Sequence, residues 1–330
     1  MSTDTGRFAP SPTGRMHLGN VFSALLSWLS VKSKGGRWLL RIEDIDPQRS
    51  RQEYADLLMG DLEWLGLTWD GTPVYQSRRG DLYEAALERL RDKGLLYPCF
   101  CTRADILATQ APHESDGRVV YKGTCRRYLT QAAPDGAAAL RVMVPPYDGA
   151  IYNKETSLHG EASRGNYCLD FVDGHYGSRS VDLTAQVGDF IVRRKDGAWA
   201  YQLAVVVDDA EMGVTEVVRG RDLLLSSPQQ MYLAGLLDLP SPQFIHLPLL
   251  CNGAGQRLSK RDKSLDMGVL RQTHTAEETV GFLAHAAGLT PDAAPVSAAE
   301  LLGAFNWQRV PCSDYINVLS LPCFCKSTNN

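Results

Sequence analysis

The sequence contains none of the long apolar runs that cross a membrane. In 330 residues, no stretch approaches the roughly 18–20 consecutive apolar residues that a transmembrane helix needs. Residues 1–4 (MSTD) lack the basic segment and apolar run of a secretory signal. These absences predict a cytoplasmic protein without membrane contact. The eight cysteines are therefore expected to be free thiols or metal ligands rather than disulfides.

An excess of basic charge and two common nucleotide-binding motifs are also missing. The 34 Lys and Arg against 38 Asp and Glu give a net charge of −4, so a polyanionic partner would need a local basic patch. No Gly-x-Gly-x-x-Gly follows a strand-like run. Gly14 and Gly19 have P-loop spacing, but Asn20 and Val21 replace the Lys and the Ser or Thr. Both a dinucleotide-binding motif and a P-loop NTPase are therefore excluded.

Strand-length apolar runs alternate with amphipathic helices, which predicts an α/β fold with a parallel sheet. Trp38–Ile42 has the length and composition of a buried strand. Helices are predicted at Glu53–Leu65, Asp81–Lys93, Pro228–Leu237 and Leu270–Leu289.

The segment from Arg7 to Asn20 (RFAPSPTGRMHLGN) reads as a strand end, a rigid turn and a helix start. Pro10 and Pro12 stop regular structure in the turn. His17 lies where the helix begins, and helix N-termini attract anions. With Arg7 ahead of it, this arrangement predicts a phosphate-bearing ligand beside a carboxylate-bearing one.

Charged residues follow several other predicted elements. Glu43-Asp44-Ile45-Asp46 ends a strand and could receive an ammonium group or magnesium, or form a solvated acidic turn. Asp196-Gly197 predicts a hairpin, so the following run Trp199–Val207 is expected as a strand that ends at Asp208-Asp209. Val214–Val218 ends at Arg219. Both polar endings are expected at the ligand edge of the sheet.

Two further clusters suggest binding sites. Four cations between Arg257 and Lys263 follow two glycines and form either a flexible anion clamp or a solvated basic loop. Cys99-Phe100-Cys101 and Cys125 fall within 27 residues, which predicts a tetrahedral zinc site, with three reduced thiols as the alternative. By residue type, the fourth ligand could be His113 or Tyr121.

Residues 12–20 and 257–261, about 240 residues apart, resemble the "HIGH" and "KMSKS" elements of class I aminoacyl-tRNA synthetases. Residues 7–14 and 41–46 narrow the resemblance to the glutamyl and glutaminyl branch. The C-x-C…Tyr-x-x-x-Cys segment and the length narrow it to truncated relatives of glutamyl-tRNA synthetase that place glutamate on queuosine of tRNA(Asp). Only 70 residues follow Lys260, so we expect no anticodon-binding domain.

The resemblance implies a Rossmann-like class I catalytic core with a zinc-containing insertion and a short C-terminal helical segment. The two halves of the catalytic domain are expected at residues 1–98 and 186–240, and the zinc-containing insertion between them at 99–185. A stem-contact-like segment carrying the KMSKS-type loop is expected at 241–311. A disordered tail with a second C-x-C is expected at 312–330.

The resemblance also implies the roles of individual residues. The side-chain carboxylate of glutamate would bind Arg7, its ammonium Glu43 and its α-carboxylate Arg219, with Ser11 and Tyr201 adding hydrogen bonds. ATP would contact His17, Gly19, Asn20 and Lys260, of which His17 and Lys260 would be catalytic. One structural zinc would bind Cys99, Cys101, Tyr121 and Cys125, which leaves His113 uninvolved.

The expected activity is formation of glutamyl-adenylate from glutamate and ATP with Mg²⁺, followed by transfer to queuosine at the anticodon wobble position. A cytoplasmic monomer is expected. Two alternatives stay open: a short glutamyl-tRNA synthetase that charges a tRNA 3′ end, and a non-catalytic RNA-binding paralog.

Overall fold

The fold is organised around a five-stranded parallel sheet, seen in a computed structural model that describes residues 4–108, 120–132, 134–145, 162–163, 166–251 and 265–317. Its strands are β1 (Thr5–Phe8), β2 (Arg37–Ile42), β3 (Val74–Tyr75), β10 (Glu216–Gly220) and β11 (Gln243–Leu247). They lie in the order β11-β10-β1-β2-β3, and all neighbouring pairs are parallel. The predicted parallel α/β sheet is therefore confirmed.

Helices alternate with these strands along the chain, and several match their predicted positions within two residues. They are α1 (Leu18–Lys32), α2 (Gln52–Trp64), α3 (Gly80–Asp92), α6 (Tyr201–Glu211) and α7 (Ser226–Leu236). Helix α1 packs directly on β1 at Gly6, where a Cβ atom would lie 2.3 Å from Val31 Cγ2. Only glycine permits this close approach of strand and helix.

The run Trp199–Val207 was predicted wrongly as a strand. The turn at Asp196-Gly197 is present, with Gly197 at φ 83°, but the chain then makes a single bridge from Arg193 to Trp199 and enters helix α6. Leu203 through Asp209 are all buried in this helix. Because so many consecutive helix positions are buried, no polar face interrupts the apolar run, and its Val-rich composition imitates a strand.

An insertion separates the two halves of the sheet. Strands β4 (Leu96–Cys99), β5 (Ala139–Val142) and β9 (Phe190–Arg193) form an antiparallel sheet in the order β4-β5-β9. A second antiparallel sheet contains β6 (Ala162–Ser163), β7 (Asn166–Asp173) and β8 (Gly177–Asp182). Short helices α4 (Arg103–Ala108) and α5 (Leu183–Gln186) complete it. The insertion thus begins and ends a few residues outside the expected range 99–185.

The C-terminal part differs from expectation in three places. Strand β11 belongs to the central sheet, so this sheet extends beyond residue 240. The predicted helix 270–289 is two helices, α8 (Met267–Thr273) and α9 (Ala276–Ala286), because Thr275 caps α9. Strand β13 (Tyr315–Asn317) pairs in parallel with β12 (Leu249–Cys251), where a disordered tail was expected; residues 318–330, with the second C-x-C, lie outside the described residues.

Two large apolar cores hold these parts together. The first joins α1 to the sheet and to α9 through residues such as Leu25, Leu40 and Phe282. The second joins α3, α6 and α7 to the insertion through residues such as Tyr83, Phe171 and Tyr232. No helix within the described ranges is both long and apolar enough to span a bilayer.

Candidate active site

The candidate site lies where the strand order of the central sheet reverses, between β1 and β10. In open α/β sheets, ligands bind beyond the carboxyl ends of the strands at this position. A cavity of about 160 Å³ opens there. A neighbouring cavity of about 470 Å³ shares part of its lining and adds Ser11. The first cavity is lined by these predicted site residues: Arg7, His17, Gly19, Asn20, Glu43, Tyr201 and Arg219.

The structure thus brings together eight of the nine residues predicted to bind glutamate or ATP. The ninth, Lys260, and the whole basic cluster from Arg257 to Lys263 lie outside the described residues.

His17 is the N-cap of α1, as the sequence predicted. Its Nδ1 accepts the backbone N–H of Gly19 at 3.1 Å, and the Asn20 side-chain oxygen accepts the backbone N–H of His17 at 3.1 Å. Because Nδ1 is an acceptor, the proton of the neutral ring lies on Nε2, which makes Nε2 a donor. The positive end of the α1 dipole lies at the same place, so this side of the site suits an anion.

A buried ion network holds Arg7. Its Nε lies 3.4 Å from Asp209 Oδ1, and Arg41 Nη1 donates to the same oxygen at 2.6 Å. Although burial opposes its ionisation, the guanidinium groups of Arg41 and Arg7 hold the pKa of Asp209 below its ordinary value. Asp209 therefore remains a carboxylate and fixes the position of Arg7 in the cavity wall.

Glu43 is the acidic residue after β2 that faces the site. Its Oε1 lies 3.5 Å from Arg41 Nη2, and its side chain is 9% exposed. Burial raises the pKa of Glu43 to about 7, and Arg41 and Arg7 oppose this shift. The two neighbouring acids have partners elsewhere. Asp44 accepts the backbone N–H of Ser77 at 2.8 Å and its hydroxyl at 2.6 Å, and Asp46 Oδ2 lies 3.4 Å from Arg194 Nη1. Of the acidic run, Glu43 alone lines the cavity of about 160 Å³.

Arg219 is the last residue but one of β10 and is buried, with 5% exposure. It donates from Nη1 to Gln230 at 2.8 Å and from Nη2 to Ser227 at 2.7 Å, and its Nε points at His246 Nε2 at 3.2 Å. These three partners, and the Leu223 carbonyl oxygen 3.5 Å from Nη2, are neutral acceptors, and within the described residues Arg219 forms no ion pair. Burial lowers the pKa of Arg219, and the nearby Arg7 adds to the effect. A buried guanidinium without a carboxylate partner is suited to binding an anion.

The charges lining the site can recognise an amino acid with two carboxylates. Arg7 and Arg219 provide two buried guanidinium groups, and Glu43 provides a buried carboxylate. Two anionic groups and one ammonium group on a ligand would match these three charges. The α1 N-terminus lies beside them, at the place where the sequence analysis expects a phosphate-bearing ligand.

Sequence reasoning missed the supporting residues. Arg41, Asp209 and His246 were not predicted as part of the site, and neither was Asp173 of β7, which bonds His246. The charged pair Asp208-Asp209 was expected at the ligand edge of the sheet, but at the end of a strand and not on helix α6. One signal in the sequence could have indicated the role of Asp209: two adjacent acidic residues follow an apolar run that is long enough to form a helix.

The cysteine cluster fits a tetrahedral metal site. The Sγ atoms of Cys99, Cys101 and Cys125 all lie within 4.8 Å of one another. Cys101 Sγ is 3.5 Å from Cys125 Sγ and 3.6 Å from the Tyr121 hydroxyl. Ligand atoms around a zinc ion with Zn–S bonds of about 2.3 Å would be separated by about 3.8 Å. Three thiols and one phenol therefore converge with suitable spacing.

Tyr121 is held in this cluster by a second contact. Its hydroxyl accepts the backbone N–H of Cys125 at 2.8 Å. Burial raises the pKa of the Tyr121 phenol, so a bound cation would have to displace its proton. The competing ligand His113 lies outside the described residues.

Comparisons with known proteins identify the family of this chain. Residues 5–294 match the family described as tRNA synthetases class I (E and Q), catalytic domain. The chain is 45% identical over 318 residues to the glutamyl-Q tRNA(Asp) synthetase of Symbiobacterium thermophilum, covering 93% of each chain. It is 43% identical over 280 residues to that of Neisseria meningitidis, covering 84% of this chain and 88% of the relative.

A solved structure supports the same relationship. The chain resembles a glutamate tRNA ligase from Elizabethkingia meningosepticum, determined in complex with its amino acid. The TM-score is 0.76 at 26% identity, over 96% of this chain and 68% of the ligase. The chain belongs to the class I tRNA synthetases of the glutamate and glutamine type, and among them to the glutamyl-Q tRNA(Asp) synthetases.

Proposed function

We propose that this enzyme activates glutamate with ATP and transfers the glutamyl group to queuosine at the anticodon wobble position of tRNA(Asp). The observation that carries the proposal is the buried set of Arg7, Arg219 and Glu43, whose charges match those of glutamate. The names of the relatives support queuosine as the acceptor.

Each charge of glutamate has a proposed partner. Arg7 binds the side-chain carboxylate, since its Nε edge is held by Asp209 and a planar guanidinium suits bidentate carboxylate binding. Arg219 holds the α-carboxylate, and Glu43 receives the ammonium group. Tyr201 and Ser11 add hydrogen bonds from the cavity wall.

ATP is proposed to bind at the α1 N-terminus. His17 donates from Nε2 to the phosphates, and Asn20 keeps the cap in place. At Gly19 a Cβ atom would lie 3.0 Å from the His17 ring, so glycine leaves this surface open to adenosine. Lys260, by its place in the KMSKS-type motif, neutralises the departing pyrophosphate. Magnesium would accompany ATP as its usual counterion.

The reaction has two steps. An oxygen of the glutamate α-carboxylate attacks the α-phosphorus of ATP, and pyrophosphate leaves with the electron pair of the broken P–O bond. A hydroxyl of the queuosine cyclopentene diol then attacks the carbonyl carbon of the adenylate and gives its proton to water, and AMP leaves with the electron pair of the broken C–O bond. No protein nucleophile is needed, because orientation of the reactants and stabilisation of phosphate charge lower the barrier.

Zinc is proposed as a structural ion held by Cys99, Cys101, Cys125 and Tyr121. When bound, it would cross-link β4 to the 3₁₀ segment Thr124–Leu129 and contribute no chemistry to glutamate activation. Because ATP and tRNA are its substrates, we place the enzyme in the cytoplasm. We also propose that the enzyme acts as a monomer.

Labelling of two tRNA preparations tests the proposal. Radioactive glutamate and ATP are incubated with the enzyme and tRNA(Asp), either containing or lacking queuosine. We expect label only on the queuosine-containing tRNA, and nuclease digestion should place the label in the anticodon fragment. ATP–pyrophosphate exchange should require glutamate but no tRNA.

Two results would contradict the proposal. Equal labelling of both tRNAs, with the label on the 3′-terminal fragment, would identify a short glutamyl-tRNA synthetase. No glutamate-dependent exchange and no labelling would leave an RNA-binding protein without this activity. The Arg219→Ala variant is the matched negative control, since it removes the guanidinium group that is proposed to bind the glutamate α-carboxylate.

A further inference from the structure

Behind Arg219 lies a buried histidine and aspartate pair that the proposed reaction does not use. His246 in β11 and Asp173 at the end of β7 are 0% and 1% exposed. His246 Nδ1 lies 2.5 Å from Asp173 Oδ2, and His246 Nε2 lies 3.2 Å from Arg219 Nε. The three residues form a line from the inserted hairpin to the cavity wall.

The proton positions along this line follow from the chemistry of the groups. A carboxylate only accepts hydrogen bonds and an arginine Nε–H only donates. His246 must therefore carry its proton on Nδ1, toward Asp173, and present a lone pair on Nε2 to Arg219. Burial lowers the pKa of His246, which favours this neutral form despite the adjacent carboxylate.

Asp173 is itself fixed in one orientation. Its Oδ1 accepts backbone N–H groups from His175 at 3.0 Å, Tyr176 at 2.8 Å and His246 at 3.3 Å. Oδ1 is thus held by three donors, and Oδ2 alone faces the His246 ring. The carboxylate cannot turn over without losing these three bonds.

We propose that Asp173 and His246 are positioning residues, which hold Arg219 for the substrate α-carboxylate by fixing the tautomer of the imidazole between them. This inference rests on the proposed function, in which Arg219 binds that carboxylate. It also links the insertion to amino-acid binding, because Asp173 lies on the β7–β8 hairpin and not on the central sheet.

Asp173→Asn tests the tautomer directly. The three backbone donors will keep an amide oxygen at the Oδ1 position, so the amide NH₂ takes the Oδ2 position and faces His246 Nδ1. A donor there forces the ring proton to Nε2, where it opposes Arg219 Nε–H. We expect the Kd for glutamate and the KM in pyrophosphate exchange to rise about tenfold, with kcat changed much less, from loss of one charged-group hydrogen bond.

Two controls separate this effect from general damage. Asp170→Asn removes the same charge from an exposed position of β7 and should leave glutamate binding unchanged. Adding His246→Gln to Asp173→Asn should recover part of the affinity, because the glutamine side-chain oxygen can accept from Arg219 Nε. Nitrogen-15 NMR, without glutamate, should show that the His246 ring carries Nδ1–H in the wild type and Nε2–H in Asp173→Asn.

The outcomes distinguish the two proposals. If the wild type binds glutamate, the positioning role is overturned by either of two results for Asp173→Asn: glutamate affinity equal to that of the wild type, or an unchanged His246 tautomer. Wild-type protein that binds no glutamate in calorimetry would overturn the proposed function. The NMR comparison would still decide whether Asp173 sets the tautomer.

Discussion

Lowering the pH from 8 to 6 is expected to weaken glutamate binding about tenfold, because Glu43 must be ionised to receive the substrate ammonium. With its pKa raised to about 7 by burial, the group is ionised in about nine-tenths of molecules at pH 8 and one-tenth at pH 6. The ammonium of bound glutamate favours the carboxylate. Binding at pH 7 should therefore release about half a proton per glutamate.

The raised pKa of Glu43 also determines how this residue's contribution to the free energy of unfolding changes with pH. Because the folded-state pKa of Glu43 lies above its ordinary 4.5, the folded chain holds this proton more tightly than the unfolded chain. Its contribution to stability is therefore present at low pH and is lost as the pH rises from about 4.5 to about 7. Added glutamate should offset this loss and raise the Tm more at pH 8 than at pH 6.

Calorimetry of glutamate binding between pH 6 and pH 8, in buffers of different ionisation enthalpy, measures both affinity and proton release. The control is Glu43→Gln, which should bind glutamate weakly and without pH dependence. A flat wild-type profile would refute the reasoning, and a slope that persists in Glu43→Gln would assign it to another group.

Three further predictions concern stability and metal binding. Asp209→Asn leaves the buried guanidinium of Arg41 without its closest counterion and should lower the free energy of unfolding in urea by about 3 kcal/mol; an unchanged midpoint would contradict this. Gly6→Ala should lower the Tm, since its Cβ would meet Val31 at 2.3 Å, and Val31→Ala should cost less in that background than in the wild type. Elemental analysis should find about one zinc per chain, and Cys125→Ser should lose it; full zinc content in this variant would refute its role as a ligand.

Local sequence signals predicted the parts of the site that depend on short segments. The turn with Pro10 and Pro12 followed by a helix start at His17 is encoded within a few residues, and the structure has it. The cysteine cluster likewise follows from close spacing along the chain. Strand ends such as Glu43 and Arg219 were placed correctly because parallel strands bring their carboxyl ends to one edge.

Contacts between distant segments could not be predicted in the same way. Asp209 meets Arg7 across 202 residues and Arg41 across 168, and both contacts depend on the sheet order and on α6 being a helix. Once α6 is taken for a strand, Asp209 is placed on the wrong element. The partners of His246 depend on where the β7–β8 hairpin docks, and no periodicity in the sequence encodes that.

The strand pairing at the centre of the sheet also has a consequence for synthesis of the chain. Strands β1, β2 and β3 can associate early, but β1 must wait for β10, whose residue Glu216 pairs with Gly6. Such a long loop makes this pairing slow compared with local contacts. A nascent chain that ends before β10 lacks Arg219 and one wall of the cavity, so glutamate can stabilise only chains that extend past this strand.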